Sequence, residues 1–346
     1  MPTGTARHTA RCVRITAAGG PEVLALGTRQ LRPPQRGELL IDVAASGLNR
    51  ADVLQRQGHY PAPPEAPPDV PGLEWAGTIA ELGADALGPL GRPWRLGERV
   101  MGLLGGGAMS SRLLVPADQA LLVPDALELH DAAGVPEAFI TAWDALNQLH
   151  LRAGELLLVH AVGSGVGTAA VQLASRRGAI VAGSSRTADK LERCRALGLR
   201  HALVVASAGR DAPASFAPAL LAATGGRPAD AILDFVGAAY LEENLRALAL
   251  RGRILVLGLL GGATGALPFG RLLERRATLI GSMLRSRPDE EKAALAAGFS
   301  AQVLPLFASG AVRPVIDAVL PVEQVREAYE RMERGESFGK LVVSWA

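Results

Sequence analysis

Short apolar runs rich in β-branched residues recur between Gly/Pro clusters across residues 13–127, at 39–43, 75–80, 99–103 and 113–115. That texture predicts a mainly antiparallel β domain. The proline-dense stretch 60–71, YPAPPEAPPDVP, suits neither a helix nor a central strand, because proline has no N–H to donate and holds its predecessor extended, so an ordered loop is expected. After His130 the pattern changes. Apolar strands at 156–160, 180–184, 231–235 and 254–257 alternate with Ala/Leu/Arg helices at 165–177, 188–197 and 241–248. This spacing predicts a doubly wound parallel sheet with right-handed crossovers, an α/β Rossmann arrangement. From about Gly281 a helix at 288–297 leads to strands ending at 340–345. A tail of ~65 residues makes a marginal core alone, so it is expected to return and complete the first domain. The expected division is therefore 1–128 for the first part of the β domain, 129–280 for the nucleotide-binding domain and 281–346 for the return.

Composition adds limits to this picture. A chain of 346 residues, 49 % of them apolar, fills two cores, since single cores stop growing at roughly 250–300 residues. A formal net charge of +2, with only three lysines and no dense basic run, argues against nucleic-acid binding. Cys12 and Cys194 stand in no disulfide or metal-ligand spacing. The first ten residues lack an apolar signal core, and no run approaches the ~18–20 residues of a membrane span. A soluble, cytoplasmic protein without a membrane partner is expected.

The strongest chemical signal is LLLVHAVGSGVGTAA at 156–170, a buried strand, a small-residue turn and a helix start. Small residues let the backbone approach a pyrophosphate, and the free N–H groups and dipole at the helix N-terminus attract its charge. The strict G-x-G-x-x-G pattern is not met, because Val162 and Ser164 stand where its first two glycines belong. About twenty residues further on, an acid usually holds the ribose 2′-hydroxyl of NAD, whereas a basic residue accommodates the 2′-phosphate of NADP. Here the second strand ends Gly183-Ser184-Ser185-Arg186 without an acid, and Lys190 follows one helical turn later. NADPH is thus favoured over NADH.

With those residues in view, the chain resembles the zinc-independent quinone oxidoreductase branch of the medium-chain dehydrogenase/reductase superfamily, in particular its tumour-suppressor-inducible subfamily, related to zeta-crystallin. The resemblance is carried in order by GGPEVL (19–24), AASGLNRADVLQRQGHYPAPP (44–64), PGLEWAG (71–77), PEAFITAW (136–143), HAVGSGVGTAAVQLA (160–174), LRSR (284–287), RPVID (313–317) and GKLVV (339–343). It implies a GroES-like catalytic domain beside the Rossmann domain. It also implies an A-x-x-S-x-x-G phosphate loop, matched by Ala161, Ser164 and Gly167, with Gly165 and Val166 alongside. In zinc-dependent relatives, ligands come from Gly-x-Cys and Gly-His-Glu; here those stretches read Gly47-Leu48-Asn49 and Gly72-Leu73-Glu74. Neither Asn49 nor Leu73 can replace a thiolate or an imidazole, so no metal is expected. The resemblance places Asn49 and Tyr60 at the nicotinamide end with Thr141 nearby. Tyr60 would wall the site and bond an acceptor oxygen, or else anchor the proline loop. Backbone around Gly258, Leu259, Gly281 and Met283 would recognise the carboxamide, and Lys340 would contact the cofactor or end a strand. One departure is Val204-Val205, where the family often has an aromatic residue over the 2′-phosphate region.

The implied reaction is hydride transfer from NADPH to a quinone, with a proton from solvent or Tyr60. No paired carboxylates, Ser/His/Asp set or Cys/His pair point to covalent chemistry, so the cofactor carries the reaction. The alternatives are reduction of the C=C bond of an enone or enoyl thioester, and a non-catalytic NADPH-binding protein. Relatives imply a homodimer formed through the strand near Ala277 to Met283.

Overall fold

In chain order, the described residues of the computed structural model (8–205 and 215–345) open with an antiparallel hairpin of β1 (His8–Ile15) and β2 (Leu24–Leu31). There follow β3 (Glu38–Leu48), α1 (Arg50–Arg56), β4 (Glu74–Leu82), β5 (Arg99–Leu103), β6 (Arg112–Pro116), β7 (Leu121–Leu122), α2 (Leu129–Ala132) and a π-turn at Pro136–Ile140. After α3 (Thr141–Gln148) the chain alternates through β8 (Leu156–Val159), α4 (Gly165–Arg176), β9 (Ile180–Ser185), α5 (Ala188–Arg195), β10 (His201–Val204) and α6 (Ala217–Ala223). The same alternation continues with β11 (Ala229–Asp234), α7 (Leu241–Ala247), β12 (Leu248–Val256), α8 (Phe269–Arg275) and β13 (Thr278–Gly281). The last elements are α9 (Asp289–Gln302), α10 (Leu304–Ala308), β14 (Ile316–Pro321), α11 (Val325–Arg334) and β15 (Lys340–Ser344).

These elements divide into two units, one holding the described residues up to Ile140 together with those from Leu284, the other Thr141–Met283. The first unit carries a sheet in the order β14-β15-β3-β4-β5-β7, with β6 also on β3. Every pairing in it is antiparallel except β14 with β15. The returning tail thus docks by pairing β15 with β3, Leu341 opposite Leu48. Cover on both faces explains why β3 reads as an apolar run rather than an alternation: Leu39, Leu40, Ile41, Val43 and Leu48 are all buried. Leu39, Ile41, Val43 and Leu48 pack in a core with Trp75, Val100, Leu113, Tyr329 and Val343, whereas Leu40 packs with Ala10 and Leu31.

In the second unit all six strands are parallel, in the order β10-β9-β8-β11-β12-β13. The order reverses between β8 and β11, and beyond the carboxyl ends of such strands an open α/β sheet holds its ligand. The units part later than the expected boundaries after 128 and 280. Residues 129–140 belong with the β domain because α2 packs on β3 and β4, and the π-turn on β4 and β5. The proline segment 60–71 is a loop, as expected. No helix among the described residues is long and apolar enough to cross a membrane.

Candidate active site

In the parallel-sheet unit, the site is built at the carboxyl ends of the strands. After β8 the backbone turns sharply, with Ala161 at φ 44°. Ser164 caps α4, its Oγ accepting from the Gly167 N–H at 3.1 Å. A Cβ on Gly167 would lie 2.6 and 2.7 Å from the carbonyl oxygens of Val162 and Ala161, so only glycine lets the turn close. The outcome is a twelve-residue helix whose N-terminal N–H groups sit at the topological switch point. Ser185 ends β9, and the exposed Arg186 after it makes no hydrogen bond or ion pair among the described residues. Lys190 lies on α5, half-buried. Val204, where an aromatic cover is absent, is exposed. Gly258 and Leu259 follow β12, Gly281 ends β13, and Met283 comes two residues on. The phosphate-loop, ribose and carboxamide positions named from sequence therefore share one end of one sheet. Thr141, at the start of α3, has a buried Oγ1 with no hydrogen-bond partner among the described residues.

Beneath the turn lies a buried polar chain that the sequence did not suggest. His160 is fully buried, its Nδ1 2.7 Å from Ser184 Oγ and its Nε2 2.7 Å from Asn244 Oδ1. The Asn244 amide donates to Asp234 Oδ2 at 3.0 Å, and Asp234 Oδ1 accepts from the N–H groups of Val236 and Gly237. Burial lowers the His160 pKa. A neutral ring with its proton on Nε2 satisfies every partner: Nε2 donates to Asn244 and Nδ1 accepts from the Ser184 hydroxyl. The chain ties the ends of β8, β9 and β11 together.

In the β-domain unit, Asn49 and Lys340 meet in a buried cluster. The Lys340 ammonium donates to Leu48 O at 2.8 Å and Asn49 Oδ1 at 2.6 Å, and lies 2.5 Å from Glu74 Oε1. All three of its N–H groups are thereby used inside the unit, which gives Lys340 a structural anchor at the start of β15. Glu74 Oε1 also accepts from Asn49 Nδ2 at 2.9 Å, and Oε2 from the Glu137 N–H at 2.8 Å. Asp52 takes N–H groups from Asn49 and Gly72, both at 2.8 Å. Burial raises its pKa to about 6. Burial, then the nearby Glu74, pushes Glu137 up to about 7. Tyr60 is half-buried, with the Arg285 guanidinium 4.8 Å from its ring centre. Its hydroxyl makes no hydrogen bond among the described residues, and its pKa is raised by burial against an opposing pull from Arg285. Asp52, Glu137 and Arg285 were not singled out from sequence, and Glu74 only as part of the stretch where zinc-dependent relatives have Gly-His-Glu. Glu74 and Glu137 are charges set in otherwise apolar runs, whereas Asp52 and Arg285 stand among other polar and charged residues and give no local signal.

A doubly wound dinucleotide domain set within the sequence of a GroES-like β domain defines a nicotinamide-dependent oxidoreductase. Two family models match, the alcohol dehydrogenase GroES-like domain over residues 35–125 and the zinc-binding dehydrogenase domain over 165–300. The human synaptic vesicle membrane protein VAT-1 homolog is 28 % identical over 353 residues, covering 96 % of this chain and 86 % of that protein. A mycobacterial protein solved in complex with NADPH superposes with a TM-score of 0.84 at 26 % identity, over 96 % of this chain and 99 % of that one. CurK enoyl reductase superposes with a TM-score of 0.82 at 26 % identity, over 97 % and 99 %. The chain belongs to the medium-chain dehydrogenase/reductase superfamily.

The residues present fit a nicotinamide dinucleotide: an N-terminal helix cradle closed by Gly167, an uncommitted guanidinium after β9, and the orphaned Thr141 hydroxyl. They do not fit zinc. Where relatives set ligands, Leu73 is apolar, and the oxygens of Asn49 and Glu74 converge on an ammonium that a metal ion would have to displace. Among the described residues, no group of three His, Cys, Asp or Glu is placed to hold a metal.

Proposed function

We propose that the protein reduces quinones with NADPH and without a metal. The observation that carries this reading is the Lys340 ammonium lodged against Asn49 and Glu74, an internal cation in place of a Lewis acid. A simple ketone needs its carbonyl strongly polarised before it accepts hydride, whereas a quinone is easily reduced and its hydroquinone is a weak acid. When bound, the coenzyme supplies the hydride. Ser164, Gly165 and Val166 would seat its diphosphate, Ser185, Arg186 and Lys190 its 2′-phosphate, and Gly258, Leu259, Gly281 and Met283 its carboxamide end, with Thr141 beside them. Asn49, held rigid by Lys340 and Glu74, and Tyr60 would shape the acceptor side and exclude water from it.

A second reading, reduction of an enone or enoyl thioester C=C bond, is favoured by the likeness to CurK enoyl reductase. Coenzyme oxidation against benzoquinone, naphthoquinone, an enone and crotonyl-CoA separates the two, run before and after exhaustive chelation with metal content measured. Quinone turnover unchanged by chelation is expected; turnover that falls with the zinc content defeats the proposal. Arg186→Ala is expected to raise the KM for NADPH about 10- to 100-fold, the worth of a charge-assisted hydrogen bond, while leaving that for NADH nearly unchanged. Equal effects on both coenzymes would remove Arg186 as the 2′-phosphate partner. The exposed edge strand β13, with Leu279 and Met283 uncovered beside it, supports a homodimer that extends the sheet.

A further inference from the structure

Four polar side chains are sealed inside the parallel-sheet unit, and the coenzyme reading above uses none of them. His160, Asn244 and Asp234 are fully buried and Ser184 nearly so. Their hydrogen bonds run one way. Asp234 Oδ1 is taken by the N–H groups of Val236 and Gly237, so Oδ2 is left to accept from the Asn244 amide at 3.0 Å. Asn244 then has only its oxygen to offer His160 Nε2, 2.7 Å away, which puts the ring proton on Nε2 and leaves Nδ1 bare to accept from the Ser184 hydroxyl at 2.7 Å. The ring is also met edge-on by Phe216 and Tyr240, their centroids 4.7 and 4.9 Å from its own. A buried network with every bond made specifies one geometry, which an apolar core of the same volume does less strictly. What this one holds is the end of β9. Ser184 is gripped twice, its Oγ by His160 and its carbonyl oxygen by the Val162 N–H of the phosphate turn at 3.0 Å. One residue back, a Cβ on Gly183 would lie 2.8 Å from side-chain atoms of both Val162 and Leu199. Two residues on stands Arg186, exposed and without a hydrogen bond or ion pair among the described residues, so its place depends on the backbone that leaves Ser184. The Arg186 charge also acts on the hydroxyl of Tyr240, whose ring rests on the imidazole. The turn at 161–167, by contrast, is closed by its own residues, Ser164 and Gly167.

We propose that His160 is a positioning residue for the 2′-phosphate of the coenzyme: through Ser184 it sets the exit of β9 and so holds Arg186 where that phosphate arrives. The proposal rests on the NADPH reading above and adds to it the buried group that orients Arg186. The portion of the dinucleotide common to NADPH and NADH is seated by the turn, which does not need the imidazole to close. Discrimination between the two coenzymes passes through the imidazole.

Calorimetric titration of the full chain with NADPH and with NADH tests this, since the two differ only in the 2′-phosphate. Ser184→Ala deletes one hydroxyl and is expected to weaken NADPH binding about 3- to 10-fold, the size of one hydrogen bond, while changing NADH binding less than about twofold. Two amide replacements separate the two bonds of the ring. In His160→Asn the amide oxygen stands where Nδ1 did and still takes the Ser184 proton, so the preference for NADPH should stay. In His160→Gln the amide reaches Asn244 instead, and the preference should fall as in Ser184→Ala. In an Arg186→Ala background, Ser184→Ala should change the ratio of the two affinities no further. Circular dichroism shows which variants fold, and the Ser184 and Arg186 variants decide the matter should those of His160 not fold. A preference for NADPH that survives in Ser184→Ala, equal weakening of both coenzymes, the reverse order of the two His160 variants, or an effect that adds to that of Arg186→Ala would each overturn the proposal and leave the NADPH reading intact. A wild type that binds both coenzymes alike would sink that reading, and the proposal with it.

Discussion

A lysine sealed inside a β domain is tolerable only if its charge is met, and Lys340 is met by a carboxylate, an amide oxygen and a backbone carbonyl. Removing one partner leaves the other uncompensated, so Lys340→Met is expected to cost about 3–5 kcal/mol of stability. Urea unfolding would measure it, and adding Glu74→Gln to that variant should recover a good part of the loss. Glu137 predicts the reverse behaviour. Its pKa is raised by burial from 4.5 to about 7, so its contribution is fully present below pH 4.5 and is lost as pH climbs through about 7. Glu137→Gln should therefore melt above the wild type by a few °C at pH 8, on the order expected for a domain of this size, with the difference vanishing at pH 4. Thermal melts at the two pH values decide it, and a gap independent of pH would remove the buried-acid account. Little of this was legible in the sequence. Asn49 and Tyr60 stood out through family resemblance, but Glu137 in PEAF and His160 in HAVG are single polar residues and Arg285 in LRSR is one of two arginines, and the meaning of each depends on partners far along the chain, such as Gln55 or Asn244.

The strand–turn–helix at 156–176 was legible at the scale of an element because its physics is local. A fully buried four-residue strand, a turn of small residues and an Ala-rich helix follow within one stretch, and the observed bounds differ from the expected ones by a residue. The space that forces Gly167 was not legible, since it depends on where the carbonyls of Ala161 and Val162 point. Gly167→Ala is expected to distort the turn and weaken coenzyme binding at least tenfold while β8 and the core behind it stay folded. Fluorescence titration with the dinucleotide, backed by circular dichroism, checks both halves of that statement. Other elements escaped notice for the opposite reason. The hairpin β1/β2 mixes charged and apolar residues on strands outside the main sheet, and α1 is a single short helix between a long strand and a proline loop. Neither leaves a clean periodicity.

For the molecule as a whole, two domains and a returning tail followed from length and texture, but the position of the boundary depended on packing. Residues 129–140 carry the start of a helical texture yet fold against β3, β4 and β5. The edge strand β13 yields the prediction at this scale. Leu279→Glu, on an exposed position of that strand, should turn a dimer into a monomer of unchanged far-UV spectrum, as read by light scattering after size exclusion. A dimer that persists would mean that the subunits meet elsewhere.

The pairing of β15 with β3 brings together segments nearly three hundred positions apart, with the whole of Thr141–Met283 between them. During synthesis the parallel-sheet unit can therefore finish before the β domain can, because domains fold as units from the N-terminus as the chain emerges. Until the last strand leaves the ribosome, Glu74 has no ammonium to face and β3 lacks a neighbour. The nascent chain spends that interval with an open sheet edge and a lone acid in its future core, the stage at which a chaperone would find most to hold.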